Sequence, residues 1–452
     1  MKRGRIFVLI LCAIFAATIL SAQETDPGAG EPKFAFQMAI ALGAETFNEP
    51  DPSDPTLLTP VSYQMLRLQP DFSYGKFGIG LDVAFHYRFT SEAENNFDFR
   101  DEDWEITDDR SFAEVYLPLF RYIRWGEKGD DLFIKLGSVD NATLGNGFIM
   151  SNYANTNFLP EQRIFGLSFD LDGRLFNFPY LGIESFTANL AKFDVFGTRL
   201  YTRPLAWMEG TPLLPNLQIG ATFAGDFKPD AHYDFVTDPS PDSVTMIGID
   251  AFQPILGTDA VSLAVFGDFV SQEGAPGGMI GFGGRLIKFL TYGFQVRFLG
   301  DNFIPAYFDA SYDLFREEKY LIATSDATII PSSVGAYTSA GFSILDDTIV
   351  FNTSVDWLFG DSDEDLAKPH LYAILVVKEG LIPGFFFDAS YDKRYIDSFS
   401  DLVDPRDAVI GAHINYKTGP AVITLGYTLR YNPEQNPEWT TTANLSSSIS
   451  LF

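Results

Sequence analysis

Apolar and polar residues alternate with a period of two along most of the chain. From Phe77 to Phe89 every second residue is apolar or aromatic, and the residues between them are glycine, alanine or polar. Alternation over roughly ten residues is typical of a β-strand with one apolar and one polar face. About 18 to 20 such segments occur along the chain. Further examples are residues 34–42, 217–227, 290–298, 349–359 and 421–431.

No segment after residue 22 has a convincing helical period, and no shift in composition marks a domain boundary. We therefore predict that residues 23–452 form a single all-β domain.

The first 22 residues have the pattern of a secretory signal peptide. Lys2, Arg3 and Arg5 precede an apolar run, and Ser21 and Ala22 offer small residues for cleavage. The chain's single cysteine also lies in this segment. Cleavage would leave a mature chain without cysteine. The segment holds three basic residues and no acidic one, so cleavage would change the net charge from -29 to -32.

A soluble β-helix or propeller would repeat a motif many times at a fixed period. The only repeated motif we find is FDASYD, which occurs at Phe308–Asp313 and at Phe387–Asp392. We interpret the two copies as two similar strands. Strands of about ten residues, with one apolar face and aromatic residues near their ends, are typical of transmembrane β-barrels. We predict an antiparallel transmembrane β-barrel of about 18 strands, within a range of 16 to 20.

The last fourteen residues, WTTTANLSSSISLF, alternate between apolar residues and Thr, Ser or Asn. This segment resembles the last strand of bacterial outer-membrane β-barrels, which typically ends in Phe, although Phe452 is out of phase with Leu451 and Ile449. The resemblance implies a bacterial outer-membrane location, contact with outer-membrane lipid and recognition of the C-terminal strand by the barrel assembly machinery. It leaves a homo-oligomer open.

Composition excludes several classes of function. A net charge of -29 argues against a nucleic-acid partner, because phosphate backbones require a basic surface. A mean hydropathy of +0.03 excludes a polytopic helical membrane protein. We expect no cofactor. We also expect no enzymatic activity, because none of the four histidines lies in a nucleophile motif and G-x-S-x-G is absent from the sequence.

Two acidic segments have alternative interpretations. Asp361–Asp365 places carboxylates at alternate positions but lacks the glycine and glutamate of an EF-hand, so we favour a solvated loop over a weak Ca²⁺ site. Residues 92–109 contain nine acidic residues and one arginine. They form either a soluble loop or an acidic vestibule that concentrates cations.

Residues 140–162 form a long segment that is rich in Asn and Gly and nearly uncharged. Either it packs over the barrel mouth or a neighbouring subunit, or it folds inward as a constriction, as a similar early loop does in porins. The constriction candidates are Asp140, Asn141, Asn146, Phe148, Tyr153, Asn157 and Glu161.

The leading functional hypothesis is a porin-like channel for passive diffusion of small polar solutes, with a mild preference for cations. Only some ten mature residues precede the first strand, so we expect no plug domain there. The alternative is a structural or adhesive barrel that binds an envelope or host partner through its loops. We expect Leu81 and Val83 to contact lipid. The candidate pore-lining residues are Arg67, Asp82, His86, Arg88, Gln295, Arg297, Asp309, Asp313, Asp356, His413 and Arg430.

Overall fold

The computed structural model describes residues 34–450 except 52, 90–97, 108–109, 140, 158–162, 209, 212, 233–234, 236–239, 259, 360–367, 420 and 432–438. The predicted signal peptide, the constriction candidates Asp140 and Glu161, the acidic segment Asp361–Asp365 and the terminal Phe452 lie outside these residues. The side chain of the pore-lining candidate Arg430 is also outside the description.

The described chain consists mainly of β-strands. The first eleven are β1 (Phe34–Asp51), β2 (Asp54–Tyr74), β3 (Phe77–Leu81), β4 (Val83–Arg88), β5 (Asp98–Phe99), β6 (Phe120–Trp125), β7 (Leu132–Gly137), β8 (Gly166–Asp172), β9 (Leu181–Thr187), β10 (Val195–Thr202) and β11 (Gln218–Asp226). The others are β12 (Val244–Gly257), β13 (Ser262–Gln272), β14 (Ala275–Leu286), β15 (Leu290–Leu299), β16 (Ser333–Ile344), β17 (Ile349–Phe359), β18 (His370–Ile382), β19 (Phe385–Lys393), β20 (Ala408–Thr418), β21 (Ala421–Tyr431) and β22 (Trp439–Ser450).

Two short α-helices interrupt this pattern, α1 (Phe112–Tyr116) and α2 (Arg316–Ala323). Ser111 and Glu114 form a capping box at the start of α1. The sequence pattern predicts neither helix. Among the described residues, no helix is long and apolar enough to cross a bilayer.

The strands form one antiparallel sheet that returns to its own beginning. β3 and β4 follow one another along β2, while β6 pairs with β3 and the two-residue β5 pairs with β4. Each later strand pairs with the next, and Ala39–Leu42 of β1 pair with Ser447–Ser450 of β22. Because β3 shares a ring position with β4, and β5 shares one with β6, the 22 strands make a ring of twenty positions. The predicted antiparallel barrel class is confirmed.

The longest connections lie at the end of the ring opposite to the chain's described termini. They comprise residues 89–119, which include β5, residues 138–165 and residues 300–332. We call residues 138–165 loop A and residues 300–332 loop B. Long connections at one end and short turns at the other are the usual arrangement of outer-membrane barrels.

The period of two in the sequence separates an outer apolar face from an inner face. On β10, Leu200 is 60% exposed and Arg199 is 1% exposed. Ile219, Ile247 and Ile249 on the neighbouring strands are also exposed. Inner positions of these strands carry polar groups or contact loops A and B.

Leu81 and Val83 lie on the outer face, opposite to Asp82 and His86, as the alternation predicts. The expectation that they contact lipid is wrong, because both are buried against other parts of the chain. The second half of the connection before β6 covers them. Trp104, Tyr116 and Leu119 of this connection pack against them, together with Phe85 of β4 and Phe120 of β6.

Loops A and B fold into the ring and form its largest buried apolar cluster. Phe148, Met150 and Tyr153 of loop A pack with Phe303 and Phe308 of loop B. Inner residues near the ends of β9–β15 complete the cluster; they are Phe186, Val195, Ala224, Val244, Met246, Val270, Met279 and Leu299.

The interpretation of the FDASYD repeat as two strands is wrong for the first copy. Phe308–Asp313 belongs to loop B, whereas Phe387–Asp392 lies in β19. In loop B the side chains of Phe308 and Tyr312 are fully buried between loop A and the wall, which stabilises a non-strand conformation.

Candidate functional site

Loops A and B are joined by backbone hydrogen bonds inside the ring. Ser151 N donates to Phe308 O at 3.0 Å, and Ala306 N donates to Phe148 O at 2.8 Å. Met150 and Phe308 form a parallel β-bridge. The two loops therefore act as one inner body that fills the lumen beside β9–β15.

The tip of loop A reaches a charged group on the inner wall. Gly145 N donates to Glu184 Oε2 at 3.0 Å, and Asn146 Nδ2 donates to Asp268 Oδ2 at 2.9 Å. A Cβ atom at Gly145 would lie 2.9 Å from Arg199 Nε, and the φ angle there is +54°. A glycine is therefore needed at this point of closest approach.

Arg199 organises the wall charges beneath this tip. Its guanidinium donates to Asp250 at 2.8 and 2.6 Å and to Glu184 at 3.1 Å. Its side chain is 2% exposed. The charged side chains that surround the tip are therefore the guanidinium of Arg199 and the carboxylates of Glu184, Asp250 and Asp268.

Further along the wall, Arg297 on β15 pairs with Asp356 on β17. Its guanidinium also donates to Gln295 and lies 4.6 Å from the ring centre of Tyr337. The ring of Phe148 in loop A lies 5.9 Å away. Three predicted pore-lining residues are thus brought together beside a predicted constriction residue.

A second charged network lines β1–β4. Arg67 pairs with Glu45 at 2.9 Å and with Asp82 at 3.3 Å. His86 bridges Glu45 at 2.9 Å and Asp103 at 2.7 Å. Arg163 of loop A pairs with Asp82 at 2.8 Å, so loop A is tied to this wall as well.

Arg88 lies at the end of the same wall. It pairs with Asp98 at 2.9 Å, and its guanidinium lies 5.3 Å from the ring centre of Tyr63.

Loop B is anchored at one side by a buried ion cluster, which we define as Asp194, Asp226, His232, Asp313 and Arg316. Arg316 donates to Asp226 at 2.6 and 2.7 Å and lies 3.5 Å from Asp194. His232 Nε2 lies 2.8 Å from Asp194 Oδ2. All five side chains are 0% exposed. Burial raises the pKa of Asp313 to about 7, with Asp194 adding to the effect and Arg316 opposing it.

Loop B is anchored at its other side by Asp309. This carboxylate lies 2.9 Å from Lys319 Nζ and 3.6 Å from Arg394, which follows β19. Burial alone would raise the pKa of Asp309, but the positive charges of Lys319 and Arg394 outweigh it and lower the pKa to about 2. The predicted lumen residues Asp309 and Asp313 thus serve as opposite anchors of one loop.

The inner wall of β19 and β20 is more open. Asp388 Oδ2 lies 2.8 Å from His413 Nδ1, and the two side chains are 44% and 52% exposed. On the next strand pair, Asn415 accepts a hydrogen bond from Thr424 at 2.7 Å. Polar, hydrated side chains therefore line this part of the ring.

The other constriction candidates of loop A occupy three settings. Asn141 is exposed, while Tyr153 is fully buried and donates to Asp313 at 3.1 Å. Asn157 donates to Ala310 O of loop B at 2.9 Å.

Several charged residues of these groups were missed at the sequence level. Glu184, Arg199 and Asp250 occupy polar positions of alternating strands, so the period of two would have found them. Asp194 and Arg316 lie in connections without a period, and no local signal marks them. Among the described residues, no group of three or more His, Cys, Asp or Glu side chains is placed to hold a metal ion.

No protein-family model matches the chain, and no curated protein sequence matches it. Solved structures that the chain matches include OccK1 (OpdK) of Pseudomonas aeruginosa, with 8% identity and a TM-score of 0.35 over 93% of this chain and 98% of that one. OpdL of Pseudomonas aeruginosa has 8% identity and a TM-score of 0.33 over 93% and 99%.

A third similar structure is Wzi, an outer-membrane protein involved in group 1 capsule assembly in Escherichia coli and described as a carbohydrate-binding β-barrel. It has 9% identity and a TM-score of 0.37 over 92% of this chain and 84% of that one. These structural neighbours are outer-membrane β-barrel proteins.

Proposed function

We propose that the protein is a bacterial outer-membrane channel through which small polar solutes diffuse passively. The observation that carries this proposal is the hydrated inner wall of β19 and β20, where Asp388 and His413 are about half exposed. Barrels of 16 to 18 strands already enclose an aqueous channel. A ring of twenty positions therefore leaves space beside loops A and B.

The outer face supports a location in a membrane. Large apolar side chains are exposed on strands all around the ring, as lipid contact requires. Examples are Phe34, Leu42, Ile249, Phe269, Ile280, Phe298, Trp357, Ile414 and Leu445. Export through a cleaved signal peptide and assembly through the C-terminal strand belong to this proposal as well, and it is compatible with a monomer or a homo-oligomer.

The tip of loop A supplies the constriction in this proposal. Asn146 and Gly145 stand against the carboxylates of Glu184, Asp250 and Asp268, where Arg199 supplies the positive charge. Three carboxyl groups surround one guanidinium here, and the whole chain has a net charge of -29. A mild preference for cations follows, and it should fade as salt rises because the Debye length shortens.

Planar-bilayer recording of the refolded protein tests the channel. We expect discrete conductance steps and a reversal potential of cation sign across a KCl gradient. Glu184→Gln should reduce that potential, whereas Asp404→Asn, in an outer connection, should leave it unchanged. Absence of conductance from folded protein would contradict the channel.

A specific observation favours the adhesive alternative. Phe399 and Val403 are 88% and 85% exposed on a short 3-10 helix in the connection between β19 and β20. Burial of these two side chains against a partner would be favourable, because it removes apolar surface from water. If folded protein carries no current, binding through this tip becomes the better hypothesis.

A further inference from the structure

The buried ion cluster that anchors loop B has unequal numbers of acidic and basic groups. Asp194, Asp226 and Asp313 contribute three carboxyl groups, and Arg316 and His232 contribute the basic groups. Even with His232 protonated, three ionised carboxylates would leave one uncompensated negative charge. An uncompensated charge is costly in a site without solvent contact, so at least one carboxyl group must hold a proton.

Asp313 is the carboxyl group best placed to hold that proton. Asp226 has two short hydrogen bonds from Arg316 and a third from Tyr312 at 2.7 Å. Asp194 is in contact with His232 at 2.8 Å. Among the described residues, Asp313 has only the neutral hydroxyl of Tyr153 as a hydrogen-bond donor, and Arg316 lies 3.8 Å from it. Of the three carboxyl groups, Asp313 therefore has the weakest positive partners to offset burial and the nearby charges of Asp194 and Asp226.

Every element that packs against Asp313 contributes to this balance. The wall contributes Asp194 before β10, Asp226 at the end of β11, and Lys228 and His232 after β11. The loops contribute Tyr153 of loop A and Tyr307, Tyr312 and Arg316 of loop B. Glu273, in the turn between β13 and β14, acts on Tyr307.

Lys228 takes part through its backbone oxygen, which accepts from Arg316 at 3.0 Å. The cluster thus joins loop A, loop B and the wall at one point.

We propose that the proton held by Asp313 keeps loop B latched inside the ring, and that loss of this proton releases loop B and widens the channel. This inference rests on the proposed channel function and assigns a regulation to it. The reaction is a simple proton dissociation from the Asp313 carboxyl group to water, and it needs no further reactant.

The direction of the effect follows from the difference between the buried and the solvated carboxyl group. The pKa of Asp313 is about 7 in the latched state, against 3.8 for an ordinary aspartate in a released, solvated loop. The latched state is therefore favoured fully below about pH 4. Latching weakens by up to about tenfold for each pH unit above this, and the loss is complete above about pH 7.

Conductance of the refolded full chain in planar bilayers, measured between pH 5 and pH 8.5 on both sides, tests this latch. Wild-type conductance should rise with pH. Asp313→Asn keeps a neutral side chain of the same shape and should hold conductance at its low value throughout. Asp404→Asn, at an exposed connection, should retain the wild-type rise.

A second measurement reports on loop B without current. Arg316 and Lys319 are 0% and 2% exposed, so trypsin reaches them only when loop B leaves the ring. At pH 8.5 we expect cleavage after these residues in wild type, slower cleavage in Asp313→Asn and faster cleavage in Asp226→Asn, which loses the partner of Arg316.

The two measurements separate the possible failures. Equal cleavage of wild type and Asp313→Asn at pH 8.5, or a rise in conductance that persists in Asp313→Asn, would overturn the latch while leaving the channel intact. The expected cleavage pattern without any conductance would support the latch and overturn the channel.

Discussion

Arg199 on β10 reaches across β11 to bind Asp250 on β12 through two hydrogen bonds of 2.8 and 2.6 Å. The strand between them carries Gly220 at the crossing point. A Cβ atom there would lie 2.3 Å from Asp250 Oδ2 and 2.6 Å from Arg199 Nε. A glycine in the middle strand thus lets an ion pair join two strands that are not neighbours.

Replacement of Arg199 by alanine should destabilise the barrel. It would leave the buried carboxylate of Asp250 without its cation, and breaking a buried pair typically costs about 3–5 kcal/mol. Unfolding in urea, followed by loss of β-sheet circular dichroism, measures the change. The control is Arg406→Ala, whose exposed pair with Asp404 should contribute less than about 1 kcal/mol. Equal effects of the two variants would contradict the structure of this wall.

Gly277 and Gly278 on β14 provide a matched test of the contact between loop B and the wall. A Cβ atom at Gly277 would lie 2.3 Å from the buried ring of Phe303, whereas one at Gly278 would have only ordinary contacts of 3.4 Å or more. Gly277→Ala should therefore destabilise the protein by about 1–3 kcal/mol. Gly278→Ala should change stability by less than about 0.5 kcal/mol. The free energy of unfolding from urea titrations distinguishes them.

Cysteine labelling tests the two faces of β19. Asp388 is on the inner, hydrated face, and Phe387 pairs with the exposed Ile414 on the outer face. In proteoliposomes, Asp388→Cys should react rapidly with a water-soluble maleimide, and Phe387→Cys should react slowly because lipid covers it. Similar rates would mean that the register is shifted by one residue.

Leu81→Cys tests an outer position whose burial the sequence does not predict. Trp104 and Tyr116 cover this outer position. The introduced thiol should therefore react slowly with a water-soluble reagent and also with a lipid-soluble one. Leu445→Cys, at an outer position that is 64% exposed, should react with the lipid-soluble reagent.

Asp309 should stabilise loop B in a pH-dependent way. Its pKa is lowered to about 2, below the 3.8 of an ordinary aspartate, because Lys319 and Arg394 favour the carboxylate. A lowered pKa contributes stability that is present above the ordinary value and lost as pH falls through about 2. Asp309→Asn should therefore lower the urea midpoint at pH 7 and have little effect at pH 2. A difference of the same size at both values would exclude this ion pair as the cause.

The FDASYD repeat shows where sequence reasoning succeeds and where it stops. In β19 the hexapeptide is flanked by further alternating residues, and the period of two gives its strand and its faces correctly. The same six residues in loop B follow Pro305 and precede α2. There Phe308 and Tyr312 are buried by loop A and the wall, contacts that come from distant parts of the chain. A local period has no information about such contacts.

The charged sites follow the same division. Arg67, His86, Arg297 and Asp356 lie at polar positions of strands, and Asp82 lies between β3 and β4, so alternation alone assigns them to one face. The buried ion cluster combines residues from loop B, β11 and the connections before β10 and after β11. Asp313 and Arg316 join the wall residues Asp194, Asp226 and His232 only when loop B enters the ring, and short-range patterns do not reveal that event.

The pairing of Ala39–Leu42 with Ser447–Ser450 has a kinetic consequence. Every other strand pair of the ring joins elements that are much closer to each other along the chain. The final pair joins residues separated by almost the whole chain, which is the largest sequence separation of any strand pair. Because closing so long a loop has the highest entropic cost, we expect this pair to form last. Until that pair forms, both edge strands expose unpaired backbone groups, which hydrocarbon does not tolerate. A chain truncated before β22 should therefore accumulate as an aggregation-prone intermediate rather than as a slightly smaller barrel.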